Sequence, residues 1–169
     1  MTTATTFTTP RLKDRELTEL IVVHCSATGP AADIGVAEIT RWHKQRGFDT
    51  VGYHYVIRRN GAVEVGRRES EIGAHVRGHN GSSIGVCLAG GVSAGGKPEN
   101  NFTPAQFASL EDLLRELQGR YPTARVCGHR DLSPDKNGDG RITPDEFIKA
   151  CPSFDVAKWL AERQKQRTT

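Results

Sequence analysis

The chain has 169 residues, 36% hydrophobic and 25% charged, which fits one globular domain able to bury about 70% of its unfolded surface. Its net charge of +3, from 23 basic and 20 acidic residues, excludes a strongly basic nucleic-acid binder. Four cysteines, Cys25, Cys87, Cys127 and Cys151, are too sparse for a disulfide scaffold and leave buried thiols, metal ligands or a nucleophile.

Glu19 to Cys25 is β-branched, apolar and of strand length, and the Ser/Thr/Gly/Pro segment from Ser26 to Pro30 closes it as a loop. His24 is thereby placed at a strand end, where side chains are well positioned and solvent is near. Val36, Ile39 and Trp42 recur at helical spacing up to Arg46, with Gly47 as the stop and His43 as a structural histidine. Tyr53 to Ile57 and Ala62 to Val65 read as a hairpin across Asn60-Gly61, with Tyr53, Tyr55 and Ile57 on one strand face. Gly73 to Ser83 is a glycine-rich loop carrying His75 and His79, and Ile84 to Leu88 resumes strand character. Thr103-Pro104 reads as a helix start, with Phe107, Leu110, Leu114, Leu117 and Tyr121 on the apolar face. Ala124 to Cys127 is a short strand delivering His129, and Ser153 is expected to cap a last helix carrying Val156, Trp159 and Leu160. Cys25, Cys87 and Cys127 lie in apolar strands and are expected to be inert buried thiols.

These elements predict a single α/β domain, a central mixed β-sheet flanked by helices, over residues 15–163. Residues 1–14 and 164–169 are expected to be flexible ends. No apolar run approaches the ~20 residues of a membrane span. Met1 to Thr9 has no basic region followed by an apolar segment, so synthesis in the cytoplasm without a secretory signal is expected.

Asp135 to Glu146 fits a twelve-residue EF-hand loop. Asp135, Asn137 and Asp139 occupy positions 1, 3 and 5, and Gly140 position 6. The Arg141 carbonyl falls at position 7, Thr143 at the water-mediated position 9, and Glu146 at the bidentate position 12. Alternate side chains turn inward around a hard cation that needs 6–8 oxygens, so Ca2+ is the expected ion. No entering helix precedes the loop, and Glu146 to Ala150 is expected to form a short exiting helix.

His24, His129 and Cys151 lie at or just past element ends, but spacings this long do not by themselves select a zinc site from other triples. Five blocks carry a resemblance: Val23-His24-Cys25-Ser26-Ala27-Thr28, Val51-Gly52-Tyr53-His54, Gly85-Val86-Cys87-Leu88, Asn101 to Gln106, and Ala150-Cys151-Pro152-Ser153-Phe154-Asp155. In this order, from about Glu19 to Trp159, the chain resembles the amidase-type phage lysozymes. These are zinc N-acetylmuramoyl-L-alanine amidases related in fold to peptidoglycan recognition proteins. The resemblance implies one catalytic Zn2+ on His24, His129 and Cys151, with Tyr53 and Lys149 assisting catalysis and His75 beside the substrate. It departs from the family between His129 and Cys151, where the calcium-type loop is inserted.

The implied activity is that of an endolysin cutting the amide between N-acetylmuramic acid and L-alanine, with bacterial peptidoglycan as partner and a monomeric chain acting on the wall after release. Without the resemblance, Tyr53 reads as a packing residue and Lys149 as an exposed helix lysine. A non-catalytic peptidoglycan-binding module is the alternative, and the retained Cys151 argues against it. Some such lysozymes also inhibit the phage RNA polymerase, but the segment before Leu20 does not match theirs.

Overall fold

The computed structural model describes residues 12–167; most of the expected flexible segment 1–14 lies outside the described residues. In chain order the elements are β1 (Leu20–Cys25), α1 (Val36–Gln45), β2 (Tyr55–Ile57), β3 (Val63–Val65), β4 (Ser83–Leu88), α2 (Pro104–Arg120), β5 (Arg125–Gly128) and α3 (Val156–Arg167). The five strands form one sheet in the order β3-β2-β4-β1-β5. β1 pairs in parallel with β4 and β5, β2 in parallel with β4, and β3 antiparallel with β2, so the sheet is mixed as expected.

Strand alternation sorts the core onto two faces. Ile21, Val23, Ile57, Ile84, Val86 and Leu88 face α2 and α3, packing against Leu110, Leu114, Leu117 and Val156. Burying each of those leucines contributes about 1.5–3 kcal/mol. On the other face the core is split. Ile39 of α1 packs on Val56 and Cys87 in one cluster, while Leu20, Val22, Val76 and Cys127 form another.

α2 begins as expected: Thr103 Oγ1 accepts the Gln106 N–H at 3.1 Å, and the Gln106 side chain accepts the Thr103 N–H. Other expectations are corrected. In α1 the buried position belongs to His43, whose Nδ1 accepts the Gly52 N–H at 2.8 Å, while Trp42 remains 37% exposed. The 3.6-residue period brings position 43, not 42, under Val36 and Ile39. Tyr53 lies ahead of β2 and packs with the α1 cluster, whereas Tyr55 and Ile57 belong to the α2 side. At the hairpin Gly61 has φ +87° but Asn60 does not enter the positive region; Gly61 N–H closes the turn on the Arg58 carbonyl. Ser153 does not cap α3: it has φ +75° and gives its hydroxyl to the Gly91 carbonyl, and Asp155 takes the Lys158 N–H instead. Pro144–Glu146 is a single 3-10 turn with no helix after it, so the expected exiting helix is absent. α3 runs to Arg167, past the expected domain end at 163.

Candidate active site

Three separate segments converge at the C-terminal ends of β1 and β5. His24 is the penultimate residue of β1 and is 1% exposed. β5 runs straight into a 3-10 turn, His129–Leu132, whose entry is held by Asp131 Oδ2 accepting the Gly128 N–H at 2.7 Å. Cys151 returns after the inserted loop, its carbonyl accepting the Arg130 N–H at 2.8 Å and its Sγ facing the Cys25 N–H at 3.3 Å. This N–H favours the thiolate, against the Cys25 thiol and burial, which push the Cys151 thiol well up.

One ligand atom from each of His24, His129 and Cys151 lies within 4.8 Å of the others. Cys151 Sγ is 3.8 Å from His24 Nδ1. Zinc bonds of about 2.3 Å to sulfur and 2.0–2.1 Å to nitrogen, at a tetrahedral angle, call for about 3.6 Å, so the donor set fits zinc in chemistry and spacing. Burial, aided by the neighbouring His75, His129 and Lys149, holds His24 well below the usual histidine range. Burial and then Lys149 pull His129 down to about 4. Both rings are therefore neutral near pH 7, as metal ligation requires.

The Tyr53 ring sits 5.1 Å from that of His24, and burial raises its phenol well above the ordinary value, so it stays a proton donor. Lys149 is exposed, and its charge is felt by both histidines. His75 differs from expectation in its partners. Nδ1 meets His24 Nε2 at 2.9 Å and Nε2 meets Ser83 Oγ at 3.3 Å, so His75 reaches the site through His24 and leaves neither ring nitrogen for a substrate. His43 accepts the Gly52 N–H and His54 the Gly85 N–H, so both are structural, although the sequence suggested this for His43 alone.

In the inserted loop the expected calcium ligands turn inward onto backbone amides. Asp135 accepts from Gly138 and Gly140 N–H, Asn137 from Asp139, and Asp139 from Arg141. Glu146, 4% exposed, accepts from Lys136, Asn137 and Thr143 N–H and from the Thr143 hydroxyl. Among the described residues His24, His129 and Cys151 are the one set of three His, Cys, Asp or Glu gathered within 4.8 Å; Asp135, Asp139 and Glu146 are not.

Reading the sequence missed the Cys25 amide on Cys151, and it missed Ser83 and Asn80. Asn80 Oδ1 accepts both His75 and Val76 N–H and so fixes the loop under His75. A signal was present: the β4 string Ser-Ile-Gly-Val-Cys-Leu puts Ser83, Gly85 and Cys87 on one face, a row of small residues beside His24.

Residues 14–144 match the family model described as N-acetylmuramoyl-L-alanine amidase. The chain belongs to that family. The N-acetylmuramoyl-L-alanine amidases are hydrolases, and this chain is an enzyme of that activity. The amidase match contains His24, Tyr53, His75 and His129 and stops inside the inserted loop, so Lys149 and Cys151 join it through the geometry above. The amidase is 47% identical over 146 residues to an endolysin of Enterobacteria phage K11, covering 86% of this chain and 87% of that one. Its fold matches the amidase LysC from Clostridium intestinale at a TM-score of 0.66 and 26% identity, over 87% and 85% of the two chains. Bumblebee PGRP-SA, at 18% identity, shares the fold at a TM-score of 0.68 over 89% of this amidase and 85% of that chain.

Proposed function

We propose that this amidase is a phage-type endolysin that hydrolyses the amide between N-acetylmuramic acid and L-alanine in bacterial peptidoglycan, with one zinc ion held by His24, His129 and Cys151. The observation that carries this reading is the convergence of those three side chains from three segments of the chain. Zinc, when bound, polarises a carbonyl and makes water a nucleophile near neutral pH. The rest is work for the chain's own groups. The Tyr53 phenol, kept protonated by burial, donates a hydrogen bond to the carbonyl oxygen as negative charge develops on it. The Lys149 ammonium lends positive charge at the same opening and supplies the proton that the departing L-alanine amine needs. The Cys25 N–H donates to the Cys151 sulfur and favours the anionic form that a zinc ligand needs. The wall is the place of action, reached after synthesis in the host cytoplasm. Residues 15–163 act as one domain, in a monomer, and the loop Asp135–Glu146 binds one calcium ion that orders the approach to Lys149 and Cys151. Support for the calcium reading is the ligand pattern and the inward turn of its carboxylates.

Cys151→Ser is expected to abolish release of new amino termini from purified cell wall and to lower bound zinc from one per chain to near zero, with an unchanged far-UV spectrum. Full wall cleavage by that variant would overturn the zinc assignment.

A further inference from the structure

Behind the three candidate ligands runs a chain of hydrogen bonds whose directions follow from one fixed point. The backbone carbonyl of His79 can only accept, and Ser83 Oγ lies 2.7 Å from it, so the Ser83 hydroxyl proton is committed there. Toward His75 Nε2, at 3.3 Å, the same oxygen is then an acceptor, which puts a proton on Nε2. A neutral His75 with its proton on Nε2 has a bare lone pair on Nδ1. His24 Nε2, 2.9 Å away, must therefore donate to it. His24 then offers its own bare lone pair on Nδ1, the nitrogen that faces Cys151 Sγ at 3.8 Å.

The ring that transmits this order sits in a slot made for it. A Cβ on Gly85 would come within 2.6 Å of His75 Cγ, and one on Gly73 within 2.5 Å of His75 Cδ2. Any side chain at either position would displace the imidazole. Asn80 holds the backbone beneath it through the His75 and Val76 N–H groups, at 2.8 and 2.9 Å.

We propose that His75 is a positioning residue of the amidase, and that the chain from the His79 carbonyl through Ser83 and His75 selects the His24 tautomer whose Nδ1 faces the metal. The proposal rests on the zinc reading above, and it assigns Ser83, Gly73 and Gly85 to the same task. Such outer partners orient a ligand ring and raise its basicity, and losing one typically weakens metal binding 10–100-fold.

Two readouts test it. In the metal-free 15N-labelled protein at pH 7.5, long-range nitrogen–proton correlation spectra are expected to show His24 and His75 both protonated on Nε2. A proton on His75 Nδ1 overturns the proposal whether or not the protein binds zinc. Zinc affinity, measured by competition with a chromogenic chelator, is expected to fall roughly 10-fold or more in Ser83→Ala and in His75→Leu. His75→Asn, whose amide oxygen replaces the Nδ1 acceptor, is expected to recover most of that loss. Parent-like affinity in both Ser83→Ala and His75→Leu overturns the proposal, and Ser83→Ala alone decides if His75→Leu does not fold. Parent-like zinc binding in His24→Ala would instead sink the ligand assignment itself, which keeps the two failures apart.

Discussion

His54 lies next to Tyr53 in the chain and is wholly buried, with both ring nitrogens used. Nδ1 accepts the Gly85 N–H at 2.9 Å, so the single proton sits on Nε2 and is given to the Glu71 carbonyl at 2.9 Å. Burial pulls its pKa down to about 4. The unfolded chain protonates this ring near 6.5 and the folded one only near 4, so the unfolded state binds more protons across that window. Stability is therefore level above pH 6.5 and falls as the pH drops toward 4, by up to about 3 kcal/mol from His54 alone. Urea melts of the metal-free protein at pH 7.5, 6 and 5 are expected to show this slope together with those of His24 and His129, and His54→Gln to lessen it. Equal slopes in parent and variant would remove His54 as the cause. Nothing in the sequence announced this burial, because His54 stands in a string of residues, Tyr53-His54-Tyr55, that alternates without apolar contrast.

At the level of elements, the helices and strands that follow from period and capping were legible, because their signals are local. Thr103, Pro104 and Gln106 specify the start of α2 within four residues. Gln106 does more than cap: its amide also donates to the Ile57 and Ala89 carbonyls and so ties α2 to the ends of β2 and β4. The start of α3 was misplaced because Ser153 and Asp155 are both good caps, and tertiary contact with Gly91 took the serine away. The grouping of His24, His129 and Cys151 was legible through family resemblance and not through spacing, since His24 and Cys151 meet across 127 positions.

The loop Asp135–Glu146 is the element for which a calcium ion is proposed. Asp135 already accepts two backbone amides and Glu146 three, so calcium would compete with those bonds and add charge neutralisation. Millimolar calcium is expected to raise the melting temperature of the parent, and the double variant Asp135→Ala, Asp139→Ala is expected to lose that rise. Scanning calorimetry with calcium and with a chelator measures both. A parent that melts identically under the two conditions would make the loop a plain turn.

The molecule as a whole has one sheet face closed by two helices and the other left to a single helix and a divided core. His24, His54 and His75 lie on or against that second face, beside the row of small β4 residues, where an all-apolar core would leave no room for them. Among the described residues no helix is long and apolar enough to cross a membrane. A zinc ion on His24, His129 and Cys151 would join β1, β5 and the segment before α3, so it binds only the assembled domain. At free zinc 1,000 times its dissociation constant this adds about 4 kcal/mol. For a domain this size that is a rise of roughly 10 °C in melting temperature, in one cooperative transition. Calorimetry of zinc-loaded and chelated protein checks this, with His24→Ala expected to show no difference. An unchanged melting temperature in the parent would contradict the assignment.

The inserted loop is clasped at its base before its acidic part begins. Ser133 Oγ gives its proton to the Arg130 carbonyl and receives the Ile148 N–H at 3.1 Å, and the Arg130 guanidinium lies 4.9 Å over the Phe147 ring. The clasp sits between the exposed loop and the two candidate ligands that flank it, His129 and Cys151. Chain length beyond the clasp is thereby uncoupled from the geometry beneath it. A change of length confined to residues 135–146 is therefore expected to leave His129 and Cys151 in register.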